Sequence, residues 1–528
     1  MSVIPRSRRG SLWRFAAGAV IVILFTATTT AVAGLLQFKQ AAQEIGVSPA
    51  IKHAQVTIAN PGDPQTLLLI GSDHRAGEPF RASNTDTMLL VRIDPNSSTI
   101  NLLSLPRDLR VDIPGYGIAK LNAAYSLGGP NLLLKTIKAN AFPGLHVNHI
   151  IDVNFKGFSD LIDAIGCVYT DVDRRYYNNT ATDNYSSIDI QPGYQRLCGD
   201  NQSISGALAF VRFRHLDTDI VRNARQQDFL RWAKDGYSQS TLITDHDKLL
   251  RIFGKNTQTD SNLHSPDGVE NLFTLVAFSA GHTIKSTPFP AILLPCGPVA
   301  PGATSALQQT PCYVVADPGS EQHAYTEFMT PTVAAPKPAA AAATGTTGAT
   351  DPAGRGQAAS SAAGLIGDLG DGKAQAAALG HLGMPIYVPG KVLAGSQYCT
   401  AGSRACPVEQ GQAPAEIGIS SGYPRGYMVH DEGGRPHVAY RMTLVVNSLQ
   451  GEYYGIQGMT WQKPPILDHP TATRSVAGKQ LLLYANGGKL SVVAWRTPQG
   501  VYWVSNTLTD TIGNGQMVAI AASLKPAS

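Results

Sequence analysis

From residue 66 the chain falls into short apolar runs that end in polar loops. TLLLIGSD, TMLLVRID and TINLLSLPRD each carry a strand-length stretch of leucine and branched side chains, closed by glycine, aspartate or proline. Apolar residues then recur at helical spacing over 124–139 and 155–165, and the second segment stops at Gly166. Strands alternating with helices predict an α/β domain. In such folds, polar residues just past strand ends are where a site forms. A further helix over 269–280 and an apolar AILLP run extend this domain to residue 330.

The pattern changes twice more. Residues 331–383 are rich in Ala, Gly, Thr and Pro, too poor in large apolar groups for a core, and read as a linker. From 384 to 528, runs such as YRMTLVVNS, YYGIQGMTW, KQLLLYAN, KLSVVAW and GVYWVSNTL predict a β-rich module of antiparallel strands. Asn486-Gly487-Gly488 is a hairpin signal, and a short helix is expected over 515–523. At the other end, residues 1–14 carry Arg6, Arg8, Arg9 and Arg14 without an acid, and 15–36 are uncharged. That run is long enough to cross a bilayer as a helix, with the basic tail in the cytoplasm and the remainder exported. A cleaved signal peptide ending near Ala31-Val32-Ala33 is the competing reading, but the run exceeds a usual signal-peptide core. Residues 37–59 then serve as a spacer, interrupted by Pro49.

Charge sharpens this picture. Lysine plus arginine total 42 against 38 acids, an excess equal to the four N-terminal arginines. The exported part is balanced, which argues against nucleic acid as a partner. Six cysteines fall into sequence-local pairs, Cys167 with Cys198, Cys296 with Cys312 and Cys399 with Cys406, an even count that suits disulfides in an exported chain. No zinc spacing is present.

Candidate chemistry gathers at the predicted strand ends. Asp73 and Arg75 follow the first strand, Asp86 precedes the second, and Arg107 and Asp108 follow the third. If these ends converge, Asp73, Asp86, Arg75 and Arg107 line one mouth. Two carboxylates among arginines suit magnesium, or manganese, bridged to phosphate oxygens. The arginines would grip the remaining oxygens and stabilise charge on a leaving phosphate, and one aspartate could instead act as a base. The plainer reading makes Asp86 a turn residue and pairs Asp108 with Arg107 or Arg110 at the surface.

The segment VRFRHLDTDIVRNARQQ is the densest arginine cluster. Arg212 and Arg214 are spaced for one face of a strand, and Arg222 and Arg225 for one face of a helix that Asp219 could N-cap. Arginines at a helix start make an anion site, because free N–H groups and the dipole add to their charge. His215 reads as a structural residue.

In order, GSDHRAGE, NTDTMLLVRID, SLPRDLRVDIPGYGIAKLNAAYSLGG, VNFKGFSDLIDAIGCV and ALAFVRFRHLDTDIVRNARQQ resemble the LytR-CpsA-Psr family over residues 60–330. The resemblance implies an α/β/α sandwich with a mixed central sheet and an apolar pocket for a prenyl chain. It implies a membrane-anchored extracytoplasmic phosphotransferase that moves a glycopolymer from a polyprenyl pyrophosphate carrier to peptidoglycan through a phosphodiester. On matching positions, Asp73 and Asp86 would serve the metal or the base role. Arg75, Arg107, Arg212, Arg214, Arg222 and Arg225 would hold the pyrophosphate, with Gln226 and Asp219 in support. Arg81 stands further before Asp86 than the arginine family members often place there. The C-terminal module also lacks the glycine-bearing strand-helix pattern associated with the common LytR C-terminal domain. Hydrolysis of the same pyrophosphate, or a non-enzymatic wall-binding or regulatory role, are the alternatives.

Overall fold

The computed structural model describes residues 46–47, 51, 56–73, 83–178, 187–199, 205–213, 217–236, 246–294, 313–330, 363–368, 370–400, 403, 406 and 422–527. The expected anchor over 15–36, Arg75, Arg81, Arg214 and the pair Cys296 with Cys312 lie outside them. Among the described residues, no helix is long and apolar enough to cross a membrane.

In chain order the first unit comprises β1 (Gly46–Val47), β2 (Gln65–Ser72), β3 (Thr85–Ile93), β4 (Thr99–Ser104), α1 (Leu121–Asn140), β5 (His149–Asn154) and α2 (Phe155–Ala164). It continues with β6 (Val168–Val172), β7 (Gly193–Leu197), α3 (Ala207–Arg212), α4 (Asp219–Asp235), β8 (Thr257–Thr259), α5 (Pro266–Phe278), β9 (Thr283–Thr287) and α6 (Pro318–Met329). A seven-stranded sheet runs β1-β8-β5-β2-β3-β4-β9. It is mixed: β2 is parallel to β5 and β4 to β9, while β3 is antiparallel to both its neighbours.

Both faces of this sheet are covered, so its strands read as nearly continuous apolar runs. Successive residues alternate faces. Leu68, Ile70, Leu90, Leu103 and Ile150 pack with Leu133, Leu134 and Ile137 of α1, whereas Leu67, Leu89, Val91, Leu102 and Ile151 pack with Leu272 and Leu275 of α5. The result is an α/β/α sandwich. The helix expected over 124–139 spans Leu121–Asn140 but is interrupted at Gly128-Gly129-Pro130, where the backbone leaves helical geometry and Pro130 restarts it. The stop at Gly166 is a Schellman motif, with Gly166 N–H on Asp163 O and Cys167 N–H on Ile162 O. Cys167 is bonded to Cys198, and Cys399 to Cys406.

Two boundary expectations change. Within the 37–59 spacer, Ile51 is fully buried in the core and Thr57 N–H bonds Val147 O, so the described part is docked on the domain. Within the 331–383 linker, β10 (Leu365–Gly367) pairs antiparallel with β11 (Lys391–Leu393), and α7 (Gly370–Ala378) packs into the C-terminal core through Ala376. Alanine and glycine content hid these short elements from a compositional reading.

The C-terminal unit adds β12 (Gln397–Tyr398), β13 (Arg425–His430), β14 (Pro436–Asn447), β15 (Glu452–Met459), β16 (Ala472–Val476), β17 (Lys479–Asn486), β18 (Lys489–Thr497), β19 (Gly500–Ser505) and α8 (Asn514–Ser523). Its eight-stranded antiparallel sheet runs β12-β14-β15-β19-β18-β17-β16, with β13 also on β14. Gly487 and Gly488, both at positive φ, close the β17–β18 hairpin. One face, carrying Tyr440, Met442, Tyr454, Trp495 and Tyr502, packs under α8. The other face carries Ala439, Met459, Val492 and Trp503 and packs on Tyr194 of β7.

This second face joins the two units through buried polar contacts. Arg441 of β14, 1 % exposed, meets Asp171 of β6 at 2.6 Å, and the Trp503 indole donates to the same carboxylate at 3.3 Å. Gly455 leaves room for that guanidinium, since a Cβ there would stand 2.4 Å from Arg441 Cζ. Tyr194 N–H donates to the Tyr427 hydroxyl at 2.8 Å. Nearby, burial first and then neighbouring carboxylates raise Asp228 to about 6 and Asp510 to about 7, against the lowering effect of Arg231.

A carboxyl group raised in the fold binds its proton more tightly there than in the unfolded chain. Its stabilising effect is therefore complete below the ordinary carboxylate range and is lost as pH rises through 6 to 7. The urea midpoint should fall between about pH 5 and pH 8, and Asp510→Asn should flatten that slope. A midpoint that rises over this range in the wild type would contradict the assignment.

Candidate functional site

One edge of the seven-stranded sheet gathers the candidate residues because β2, β4 and β5 all end there and the antiparallel β3 begins there. Asp73 follows β2, Asp86 opens β3, Arg107 follows β4 and Phe155 follows β5. A β-bulge aims Asp86. Gly71 pairs with Thr87 and Ser72 with Thr85, leaving Asp86 as the extra residue. The Thr85 hydroxyl locks the bulge, lying 3.0 Å from both Gly71 O and Thr87 O. Gly71 is needed for this approach, because a Cβ would sit 3.0 Å from Thr87 Cβ. Asp73 accepts the Asn84 N–H at 2.5 Å, fixing it beside the same strand.

Helix α4 brings the other charges. Its N-cap is Thr218, whose hydroxyl accepts from Val221 N–H, so Asp219 is the first helical residue and not the cap that the sequence suggested. That position frees Asp219 to reach across to the loop after β4, where it accepts the Asp108 N–H at 3.2 Å. About two turns on, Gln227 fastens α4 to the end of β4, donating to the Ser104 hydroxyl at 2.7 Å. Arg107 and Arg222 are thereby placed side by side.

Arg107 Nη1 lies 2.5 Å from Asp86 Oδ1. Arg212 Nε is 3.7 Å from Asp86 Oδ2 and Arg222 Nη1 is 3.9 Å from Oδ1. Arg222 Nη2 lies 3.2 Å from Asp219, and Arg107 Nε 3.7 Å from both Asp108 and Asp219. Lys120, just before α1, reaches Asp108 at 3.0 Å. Three carboxylates thus face four cations. Arg212 stacks over the Phe155 ring at 4.0 Å, and it ends helix α3 and does not lie on the expected strand.

The two helical arginines differ in kind. Arg225 is fully buried and already matched: it donates to Asp217 and to Phe213 O, and lies over the Tyr176 ring at 4.8 Å. Burial pushes its pKa down, but Tyr176 and Asp217 outweigh this and raise it. Arg174 donates to the same Asp217 and lies over Tyr453 of the C-terminal sheet, so the box spans both units. Gln226 points the same way, donating to Val211 O at 3.0 Å. Hence Arg225 and Gln226, expected at the phosphate site, are engaged in holding α3 and α4 together. Arg222 is 1 % exposed, and its pKa is lowered by burial, with Arg107 adding to this against Asp219. Its Nε and Nη2, and the Nε of Arg107, have no hydrogen-bond partner among the described residues.

Sequence reasoning passed over Asp152, Tyr125, Lys120 and Phe155. Asp152 is buried on β5 and accepts from the Ser72 hydroxyl at 2.7 Å and the Tyr125 hydroxyl at 2.5 Å. Burial, then the Asp152 charge, pushes the Tyr125 phenol far up, which keeps it a donor. A lone aspartate inside the apolar run HIIDVN was the available signal. Among the described residues, no group of three metal-ligating side chains forms at Asp73 and Asp86. A cation there would rest on two carboxylates and on ligand oxygens, the pattern magnesium favours.

A sequence model of the LytR_cpsA_psr family matches residues 26–291, half of the chain. The chain belongs to this family. Curated relatives include the polyisoprenyl-teichoic acid–peptidoglycan teichoic acid transferase TagU of Oceanobacillus iheyensis, 34% identical over 220 residues, or 40% of this chain and 62% of that protein. The corresponding transferase TagT of Bacillus subtilis is 26% identical over 272 residues, 50% of this chain and 82% of that one. The chain thus spans less than two thirds of the length of the TagU relative. The crystal structure of B. subtilis TagV aligns with a TM-score of 0.39 at 24% identity, covering 51% of this chain and 96% of that one. The family match ends before α6 and the C-terminal sheet.

Because Arg225 is hydrogen-bonded to Asp217 whereas Arg222, though beside Asp219, keeps Nε and Nη2 without a hydrogen bond among the described residues, their removal should have different consequences. Arg225→Met should cost about 3 kcal/mol, because it leaves the buried Asp217 with Arg174 alone and removes the donor to Phe213 O. Arg222→Met should leave the urea midpoint near the wild-type value but abolish stabilisation by added inorganic pyrophosphate. Equal destabilisation by the two would contradict the distinction.

Proposed function

We propose that the chain is a phosphotransferase acting on the outer face of the membrane, anchored through residues 15–36. It takes a glycopolymer from a polyprenyl pyrophosphate carrier and joins it to a peptidoglycan hydroxyl by a phosphodiester. The observation that carries this reading is the group of guanidinium nitrogens on Arg107 and Arg222 at the sheet edge that make no hydrogen bond among the described residues. The names of the curated relatives support it.

In this reading the acceptor oxygen forms a bond to the glycan-side phosphorus while the bridging P–O bond breaks. Polyprenyl monophosphate leaves with the electron pair. The acceptor proton passes to Asp73 or Asp86, as base. Arg107, Arg212 and Arg222 hold the phosphate oxygens and neutralise the charge that grows on the leaving group. Magnesium, or manganese in its place, would be held by Asp73 and Asp86 and would add to that neutralisation. Asp86 Oδ1 already faces Arg107 at 2.5 Å, so a cation held there would share this carboxylate with the guanidinium. Asp219 is a positioning residue, since it orients Arg107 and Arg222 from beneath.

Full-length protein in detergent, given a lipid-pyrophosphate glycan and peptidoglycan, should form the phosphodiester and lose this activity on chelation of divalent cations. Arg107→Ala should lower turnover about 100-fold or more with an unchanged melting temperature. Free phosphorylated glycan as the sole product would assign water as the acceptor, and undiminished transfer by Arg107→Ala would sink the proposal.

A further inference from the structure

Asp219 orients Arg107 and Arg222, but Arg212 comes to the cluster from the end of α3 and has a different support. Its guanidinium carbon stands 4.0 Å from the centre of the Phe155 ring. Phe155 opens α2 directly after β5, where Asn154 both pairs with Ser72 across the sheet and caps the helix by accepting the Gly157 N–H at 2.8 Å. The turn that carries the ring is thereby fixed, and Phe155 and Asp73 are the next residues on the two paired strands.

This ring does not serve the core. It is half-buried at the sheet edge and belongs to none of the apolar clusters among the described residues, whereas Phe158, three residues on, packs with Phe229. The face of an aromatic ring is electron-rich and attracts a guanidinium. A guanidinium lying over a ring makes that contact through its own face, so its N–H groups, which lie in its plane, stay available to other acceptors. Here they are turned toward Asp86, with Arg212 Nε 3.7 Å from Oδ2. A carboxylate in the place of the ring would hold the same charge but would take up those donors. Arg212 is a long, partly exposed side chain at the end of a six-residue helix, so the ring is what favours the rotamer that faces the site.

We infer that Phe155 is a positioning residue of the phosphate site, holding the Arg212 guanidinium by its face so that its in-plane donors meet the oxygens of the donor pyrophosphate. The assignment rests on the transfer reading for its purpose, but anion binding can be tested alone. In full-length protein in detergent, Phe155 is replaced by mono-, di- and trifluorinated phenylalanines, which keep the shape of the ring while withdrawing charge from its face. Affinity for inorganic pyrophosphate, measured by calorimetry, should fall with each added fluorine, reaching a loss of about 10-fold for the trifluorinated ring. The melting temperature should not change, and kcat/KM for the lipid-linked donor should fall in the same order. A ring that only packs would leave affinity flat across the series, and that result would overturn the inference. If a fluorinated protein melts early, Phe155→Tyr and Phe155→Leu replace the series: the first should keep wild-type affinity and the second should lose about 10-fold, and equal affinities would overturn the inference. Stepwise loss of pyrophosphate affinity in a protein that forms no phosphodiester would remove the transfer reading and keep the role of Phe155. No pyrophosphate binding by the wild type would overturn both.

Discussion

The carboxylate of Asp219 is the joint on which the site depends. It takes the backbone N–H of Asp108, and it lies against Arg107 and Arg222, so one group fixes the loop after β4 to the start of α4. Without that tie, only Asp86 would bridge the two like-charged guanidiniums. With it, they are held close but incompletely paired, an arrangement that favours an incoming anion over a closed ion-pair network.

The rigidity of α4 comes from elsewhere along its length. Its middle is clamped by the Arg225–Asp217–Arg174 box, whose rings include Tyr453 of the C-terminal sheet. Its far end shares cavities with that sheet. The C-terminal unit is therefore no passenger: Asp171 and Arg441, buried together, make the seam part of the scaffold that positions Arg222. A charge pair of this kind favours one docking geometry, because any slip leaves both partners buried and unmatched.

Much of this was legible in the sequence, for a physical reason. Strand ends in TLLLIGSD and SLPRDL are marked by abrupt changes from apolar to charged residues, and the sheet topology brings those ends together at one edge. Hairpin and helix stops at Asn486-Gly487-Gly488 and Gly166 follow local rules and appear where expected. What could not be read is how four arginines divide their work. Spacing places Arg222 and Arg225 on one helix, but only packing shows that Asp217 already holds Arg225. Arg212 was assigned to a strand because alternation over two residues is too short to tell a strand from a helix end. Likewise the bulge that aims Asp86 depends on pairing with β2, which no single run encodes.

The central claim is that Arg107, Arg212 and Arg222 form an anion site built for a lipid-linked pyrophosphate. A crystal structure of the protein with a short-chain polyprenyl pyrophosphate tests it most directly. Phosphate oxygens should occupy hydrogen-bonding positions to Arg222 Nε and Nη2 and to Arg107 Nε, with Arg225 still on Asp217. Phosphates bound away from this edge, or no hydrogen bond from Arg222 Nε and Nη2 to phosphate in the occupied complex, would contradict the account.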